Sequence, residues 1–279
     1  MSGAAQNTIA SAFSLSGIGI HSGTQGRITV HPAEENTGRV FRVGKVEIPA
    51  RVNYVTDTRR CTTLGNAGTT ISTVEHLLSA LYGMQIDNAM IEVEGVEIPI
   101  LDGSALPFVE AIQSVGIAAQ TAAANVMTLV EEIHIRGVSE MHVFPSETFS
   151  IHCAVAFENW AEGAANPLCE VENPAVYAND IAPARTFAFQ QEVEALLAAG
   201  LAKGGSLDNA LIITPPDTFS TPLRMPHEWA MHKILDIIGD LALVNAHLCL
   251  TLEAVKPGHR INTDLAQILL EHGRFERKG

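Results

Sequence analysis

From Ile9 to Val55 the apolar residues come in short alternating runs, such as Ile18-Gly19-Ile20, Arg27-Ile28-Thr29-Val30 and Val46-Glu47-Ile48, broken by Gly, Asn and Pro. A period of two marks half-buried strands, and the breaks mark turns. The period then changes. Leu77, Leu78 and Leu81 fall on one side of a helix predicted from Thr73 to Tyr82, stopped by Gly83. Asn88 to Val93 is a strand, and Leu106 to Val115, with Phe108, Val109 and Ile112, is a second helix. The small, polar stretch Ala118 to Asn125 is the best linker in the chain. Strand text resumes at Val126 to Ile135 and His142 to Phe157, followed by a proline-punctuated stretch, Asn166 to Pro183. A helix from Gln191 to Ala199 ends at Gly200, ahead of a Gly-rich segment that reaches Ser206. A long helix from Glu228 to Val244 and a strand from His247 to Leu252 follow.

The two halves echo each other. His76 begins a helix that reaches Gly83 before Asn88-Ala89 opens a strand; His232 lies in a helix that reaches Gly239 before Asn245-Ala246 does the same. This pattern predicts an α+β protein of two related units, 1–120 and 126–279, each offering a His from a helix.

Composition narrows the function classes. With 17 Lys+Arg against 31 Asp+Glu the formal net charge is 17 − 31 = −14, only 17% of residues are charged, and 47% are hydrophobic. Such a chain builds a core rather than staying disordered. It also lacks the basic surface of a nucleic-acid binder or a polybasic membrane binder. The first cation is Arg27, so no basic signal segment precedes it, and no apolar run approaches the roughly 18 residues of a membrane helix. Cys61, Cys153, Cys169 and Cys249 form no Cys-x-x-Cys and read as buried thiols of a cytoplasmic protein.

Three segments carry candidate chemistry. In His232-Lys233-Ile-Leu-Asp236 the His and Asp share a helix face, where they can hold one metal ion or simply pair with each other; Asp240 lies one turn further on. In Ser72-Thr-Val-Glu75-His76, Glu75 is either the far end of a capping box or a base beside a metal-binding His. In Lys256-Pro-Gly-His259-Arg260 the His reads as a turn residue, either merely exposed or a general acid over a site. Gly204-Gly205-Ser206 lacks the spacing of a phosphate loop or a dinucleotide fingerprint. His21, within Gly19-Ile-His-Ser-Gly23, has no ready structural reading, unlike the other histidines.

The ordered set of segments resembles one family, the UDP-3-O-acyl-N-acetylglucosamine deacetylases, zinc amidases of lipid A biosynthesis. The segments are Gly17 to Gly23, Asp57-Thr58 with Cys61-Thr62, Ser72 to His76, Asp87-Asn88 and Glu97 to Ser104. They continue through Ala184 to Phe187, Gly204 to Ser206, His232 to Asp240 and Gly258-His259. The resemblance implies two similar two-layer sandwich domains with the active site between them. It implies Zn²⁺ on His76, His232 and Asp236, a donor set that Fe²⁺ would suit almost as well. It further implies Glu75 as general base and His259 as general acid, with Asp240 orienting His259. Thr186 and Lys233 would stabilise the oxyanion. Lys256, Phe187, Leu201, Gly205 and Ser206 would meet a UDP-sugar lipid precursor, with Lys256 at its diphosphate and Leu201 on an acyl passage. A monomer is expected. Ala188 departs from the Gly of some relatives. Two other readings fit the same segments: a relative that has lost the chemistry and only binds a nucleotide sugar or lipid, and a zinc hydrolase of a different amide. Competent residues at every proposed catalytic position argue against the first, and the absence of His-Glu-x-x-His removes the commonest peptidase pattern.

Overall fold

The computed structural model describes residues 5–158, 160–171 and 173–277, so the first four and last two residues of the two expected units lie outside it. The alternating runs of the first half form a five-stranded sheet in the order Phe13–Ile18, Gln25–Pro32, Ala89–Glu94, Arg39–Val43, Val46–Pro49. All neighbours are antiparallel except Arg39–Val43 against Ala89–Glu94. Ile28, Val30, Phe41, Ile48 and Ile91 are buried. They share one core with Leu77, Leu78 and Leu81 of helix α1 (Glu75–Gly83) and Phe108, Val109 and Ile112 of helix α2 (Leu106–Val115).

The second half is built on an eight-stranded sheet. Its path runs Ile133–Ile135, Glu140–Pro145, His247–Val255, Asn125–Thr128, Arg274–Arg277, and Phe149–Phe157 also pairs with His247–Val255. A short turn, α3 (Pro174–Val176), runs into a π-helical Tyr177–Ile181, and α4 (Gln190–Ala198) follows Phe187–Phe189. The long helix α5 (Glu228–Leu241) packs against α1, and α6 (His259–His272) packs against α5. The fold is α+β, as the sequence pattern predicts.

Two expectations are corrected. The stretch expected to be a linker is strand Ile117–Ala123, antiparallel to Ala5–Ile9. Its polarity is satisfied in the fold: Gln120 accepts from Asn88 and donates to Ala33 O, while Thr121 donates to Glu35. The chain passes to the second sheet at buried Ala124. His259, expected on a turn, is instead the first residue of α6, whose Leu265, Ala266 and Leu269 are buried.

The echoed glycines have a steric reason. A Cβ on Gly239 would lie 2.0 Å from the carbonyl oxygen of Glu75, so only Gly lets α5 approach the first turn of α1 this closely. Gly83 is the last residue of α1, and a Cβ there would strike the Tyr177 ring at 2.2 Å. It serves packing more than helix termination. No helix among the described residues is long and apolar enough to cross a membrane.

Candidate metal centre and acid–base pair

Because α1 and α5 meet backbone to backbone, the polar residues at their contact are forced together. His76 comes from α1, and His232 and Asp236 come from one face of α5. Their ligand atoms all lie within 4.8 Å of one another. Asp236 Oδ1 sits 3.4 Å from His232 Nε2 and 3.8 Å from His76 Nε2. All three residues are buried.

The donor set fits a divalent cation. Asp236 Oδ1 is buried and has no hydrogen-bond donor, which is costly for a carboxylate oxygen unless a cation faces it. Burial, with His232 alongside, pushes the His76 imidazole down to about 3; burial likewise lowers His232. Both rings are therefore neutral near pH 7 and present lone pairs, as metal ligation requires. The other carboxylate oxygen, Oδ2, accepts from Lys233 Nζ at 2.9 Å. His232 Nδ1 donates to Ala184 O at 3.0 Å, which fixes the tautomer and turns Nε2 toward the cluster. Two imidazoles and one carboxylate would leave a bound ion a position for water, a donor set of the kind found in catalytic rather than structural sites. No second cluster of this kind occurs among the described residues.

The Ala184-Arg185-Thr186 segment is pinned where His232 needs it. Arg185 forms a two-point ion pair with Glu228 (Nε to Oε1 2.7 Å, Nη2 to Oε2 3.0 Å) at the start of α5, and both side chains are buried. Anchoring Arg185 places the Ala184 carbonyl on His232 and leaves Thr186 on the cavity wall.

Beside the cluster stands a candidate acid–base pair. Glu75 Oε1 lies 3.9 Å from His259 Nε2, and His259 Nδ1 bonds Asp240 Oδ2 at 2.9 Å. Asp240 also accepts from Asn262 Nδ2 (2.8 Å) and Thr62 Oγ1 (2.5 Å). Burial pushes Glu75 up to about 8, an effect that the nearby His259 opposes. For His259, burial disfavours the cation, but Asp240 and Glu75 outweigh it and raise the ring to about 9. The capping-box role for Glu75 is absent. Its Oε2 accepts from Thr62 N at 3.0 Å, and Ser72 Oγ bonds Val96 O instead.

A cavity of about 1050 Å³ opens over these groups. Of the residues expected at the site, Glu75, His76, Thr186, Phe187, Gly205, Ser206, His232, Lys233, Asp236 and His259 line it. Asp240 stands behind His259. Leu201 lies off the wall, where Val193, Leu196, Leu197 and Ile212 supply apolar surface. Lys256 is exposed and also off the wall; the turn it begins brings Gly258, His259 and Arg260 there, and Arg60 and Arg136 add further positive charge. Lys233 Nζ lies 5.6 Å from the centre of the Phe187 ring. His21 lines the cavity too. Its N–H and that of Ser22 donate to Glu97, which also accepts from Thr73 Oγ1. Thr73 holds a left-handed φ of +57°, strained for a β-branched residue, two positions before Glu75. Thr62 and Asn262 were not singled out from sequence, because a hydroxyl and an amide carry no motif of their own.

The sequence pattern of UDP-3-O-acyl N-acetylglycosamine deacetylase matches residues 6–271. The chain is similar to a UDP-3-O-acyl-N-acetylglucosamine deacetylase of Anaeromyxobacter sp. (strain Fw109-5), 41% identical over 95% of this chain and 88% of the relative. A protein of the same name from Idiomarina loihiensis is 40% identical over 95% of this chain and 89% of the relative. One from Legionella pneumophila (strain Corby) is 40% identical over 95% and 90%.

Proposed function

The chain belongs to the UDP-3-O-acyl N-acetylglycosamine deacetylase family, and from that membership we propose that it hydrolyses the N-acetyl group of a UDP-3-O-acyl-N-acetylglucosamine with the help of zinc, in the cytoplasm, at the committed step of lipid A biosynthesis. The observation that carries this reading is the juxtaposition of His76, His232 and Asp236 with the Glu75–His259 pair in one cavity.

His76, His232 and Asp236 would hold the ion, which when bound supplies Lewis acidity toward an amide carbonyl and toward water. The residues around it supply the proton transfers. Glu75 Oε1 takes the proton of the attacking water while its other oxygen stays on Thr62 N. Attack leaves negative charge on the former carbonyl oxygen, and Lys233 Nζ and the Thr186 hydroxyl on the cavity wall are the donors for it. The C–N bond then needs a protonated nitrogen, because an amide anion is a very poor leaving group. His259 Nε2 delivers that proton, and Asp240 on Nδ1 holds the ring protonated until then. Acetate and the free glucosamine amine depart.

The cavity wall and the turn beside it support a placement for the rest of the substrate. Val193, Leu196, Leu197 and Ile212 suit an acyl chain, and Arg60, Arg136 and Arg260, with Lys256 on the turn before Gly258, suit a diphosphate. In a chain of net charge −14 this recognition is local. The test is acetate release from UDP-3-O-acyl-N-acetylglucosamine of varied acyl length, with metal analysis, chelator and zinc add-back. Release that is lost on chelation and restored by zinc supports the reading. No release from any acyl length by the zinc-loaded chain overturns it.

A further inference from the structure

Thr62 touches both proton carriers, and it does so with two different groups. Its backbone N–H donates to Glu75 Oε2 at 3.0 Å, and its hydroxyl donates to Asp240 Oδ1 at 2.5 Å. Its carbonyl accepts from Val74 N, so the residue is also tied to the approach to α1. Thr62 and Asp240 are both fully buried, 178 residues apart in sequence.

Asp240 has two oxygens and three donors. Oδ2 takes His259 Nδ1 and Asn262 Nδ2; Oδ1 takes the Thr62 hydroxyl. A hydroxyl bound to a carboxylate is a short, charge-assisted bond, and leaving that oxygen unsatisfied at a buried site is costly. The carboxylate plane, and with it the direction in which it holds the His259 ring, is therefore set from Thr62. The same residue sets the plane of the Glu75 carboxylate. The reacting atoms, Glu75 Oε1 and His259 Nε2, come from different halves of the chain and lie 3.9 Å apart.

We propose that Thr62 is a positioning residue that fixes the general acid against the general base across the two halves, acting through Asp240 and Glu75 without meeting the substrate. This role rests on the deacetylase reading for its catalytic meaning, but the linkage itself has a signature independent of turnover.

The experiment compares Thr62→Val, Thr62→Ser and the unaltered chain, each loaded with zinc. Val matches Thr in shape and keeps the backbone bond to Glu75, while Ser keeps both bonds. Three quantities are measured: the ¹⁵N resonances of the His259 ring, kcat and KM, and bound zinc. Thr62→Val is expected to move the His259 resonances and lower kcat about ten- to hundredfold, with KM and zinc content unchanged. Thr62→Ser is expected to restore both readouts. Unchanged resonances and a kcat within about twofold in a folded Thr62→Val variant overturn the proposal. So does a loss that Thr62→Ser shares. If Thr62→Val does not fold, Thr62→Ala carries the same expectations; if neither folds while Thr62→Ser does, Thr62 is a folding residue and the proposal fails. If the unaltered chain releases no acetate yet its His259 resonances respond to Val and not to Ser, the linkage stands and the functional reading falls.

Discussion

Glu75 Oε1 and His259 Nε2 face each other at 3.9 Å across the junction of two helices that begin 184 residues apart. One is a carboxylate raised by burial to about 8, the other an imidazole raised to about 9 by Asp240 and Glu75 against its burial. In the proposed mechanism the working form has Glu75 unprotonated and His259 protonated. Activity should therefore rise as pH climbs through the Glu75 value and fall as it passes the His259 value. A divalent cation on the neighbouring ligands repels protons and moves both limbs to lower pH. In profiles of kcat/KM, Glu75→Gln should lose the acid limb and His259→Gln the alkaline limb, each with about a 10²- to 10⁴-fold loss. An alkaline limb that persists in His259→Gln would remove His259 as the acid.

Metal content separates ligands from bystanders. His76→Ala and Asp236→Ala should each abolish stoichiometric zinc and deacetylation, and Asp236→Ala also strands the Lys233 ammonium that now pairs with Oδ2. Stoichiometric zinc with full turnover in either variant would sink the ligand assignment.

Glu228→Gln tests how the Arg185 anchor supports His232. It breaks a buried ion pair and should cost about 3 kcal/mol of stability. Released from Glu228, the segment holds the Ala184 carbonyl less firmly on His232, so zinc affinity should fall about tenfold. Burial works against the Glu228 carboxylate, but the Arg185 and Arg224 donors more than offset it and hold its pKa below the usual 4.5. A depressed folded-state value gives stability that is present above the unfolded value and lost as pH falls through the folded one. The stability difference between the two proteins, read by urea unfolding, should therefore shrink on acidification below about pH 4.5. A constant difference down to pH 3 would rule this account out.

Gly239→Ala places a methyl against the Glu75 carbonyl. Forcing α1 and α5 apart should cost at least about 1–3 kcal/mol and reduce zinc occupancy together with it. Unfolding midpoints and metal analysis on one preparation check both; loss of stability with full zinc affinity would show that the ligands do not depend on this contact.

Much of this was readable along the chain. Leu77, Leu78 and Leu81 marked α1 by spacing, and His232 with Asp236 marked a shared helix face. The parts that were not legible have separate causes. Strand Ile117–Ala123 has its partner at Ala5–Ile9, and its small polar residues look like a linker until Asn88, Ala33 and Glu35 are seen to satisfy them. Helix α6 does show an apolar four-residue spacing, Ile261, Leu265, Leu269, which the Pro-Gly turn before it and its buried polar Asn262 and Thr263 obscured. Glu75 fits the local capping pattern, yet a residue outside that pattern, Thr62, takes its carboxylate.

The contact between α1 and α5 also has a consequence in time. A ribosome completes Gly83 about 145 residues before it reaches Glu228, an interval of roughly 7–30 s at ordinary translation rates. Throughout that interval the α1 surface destined for α5, with Glu75 and His76 on it, has no permanent cover. The first half thus emerges without the helix that buries Glu75 and His76 in the finished protein.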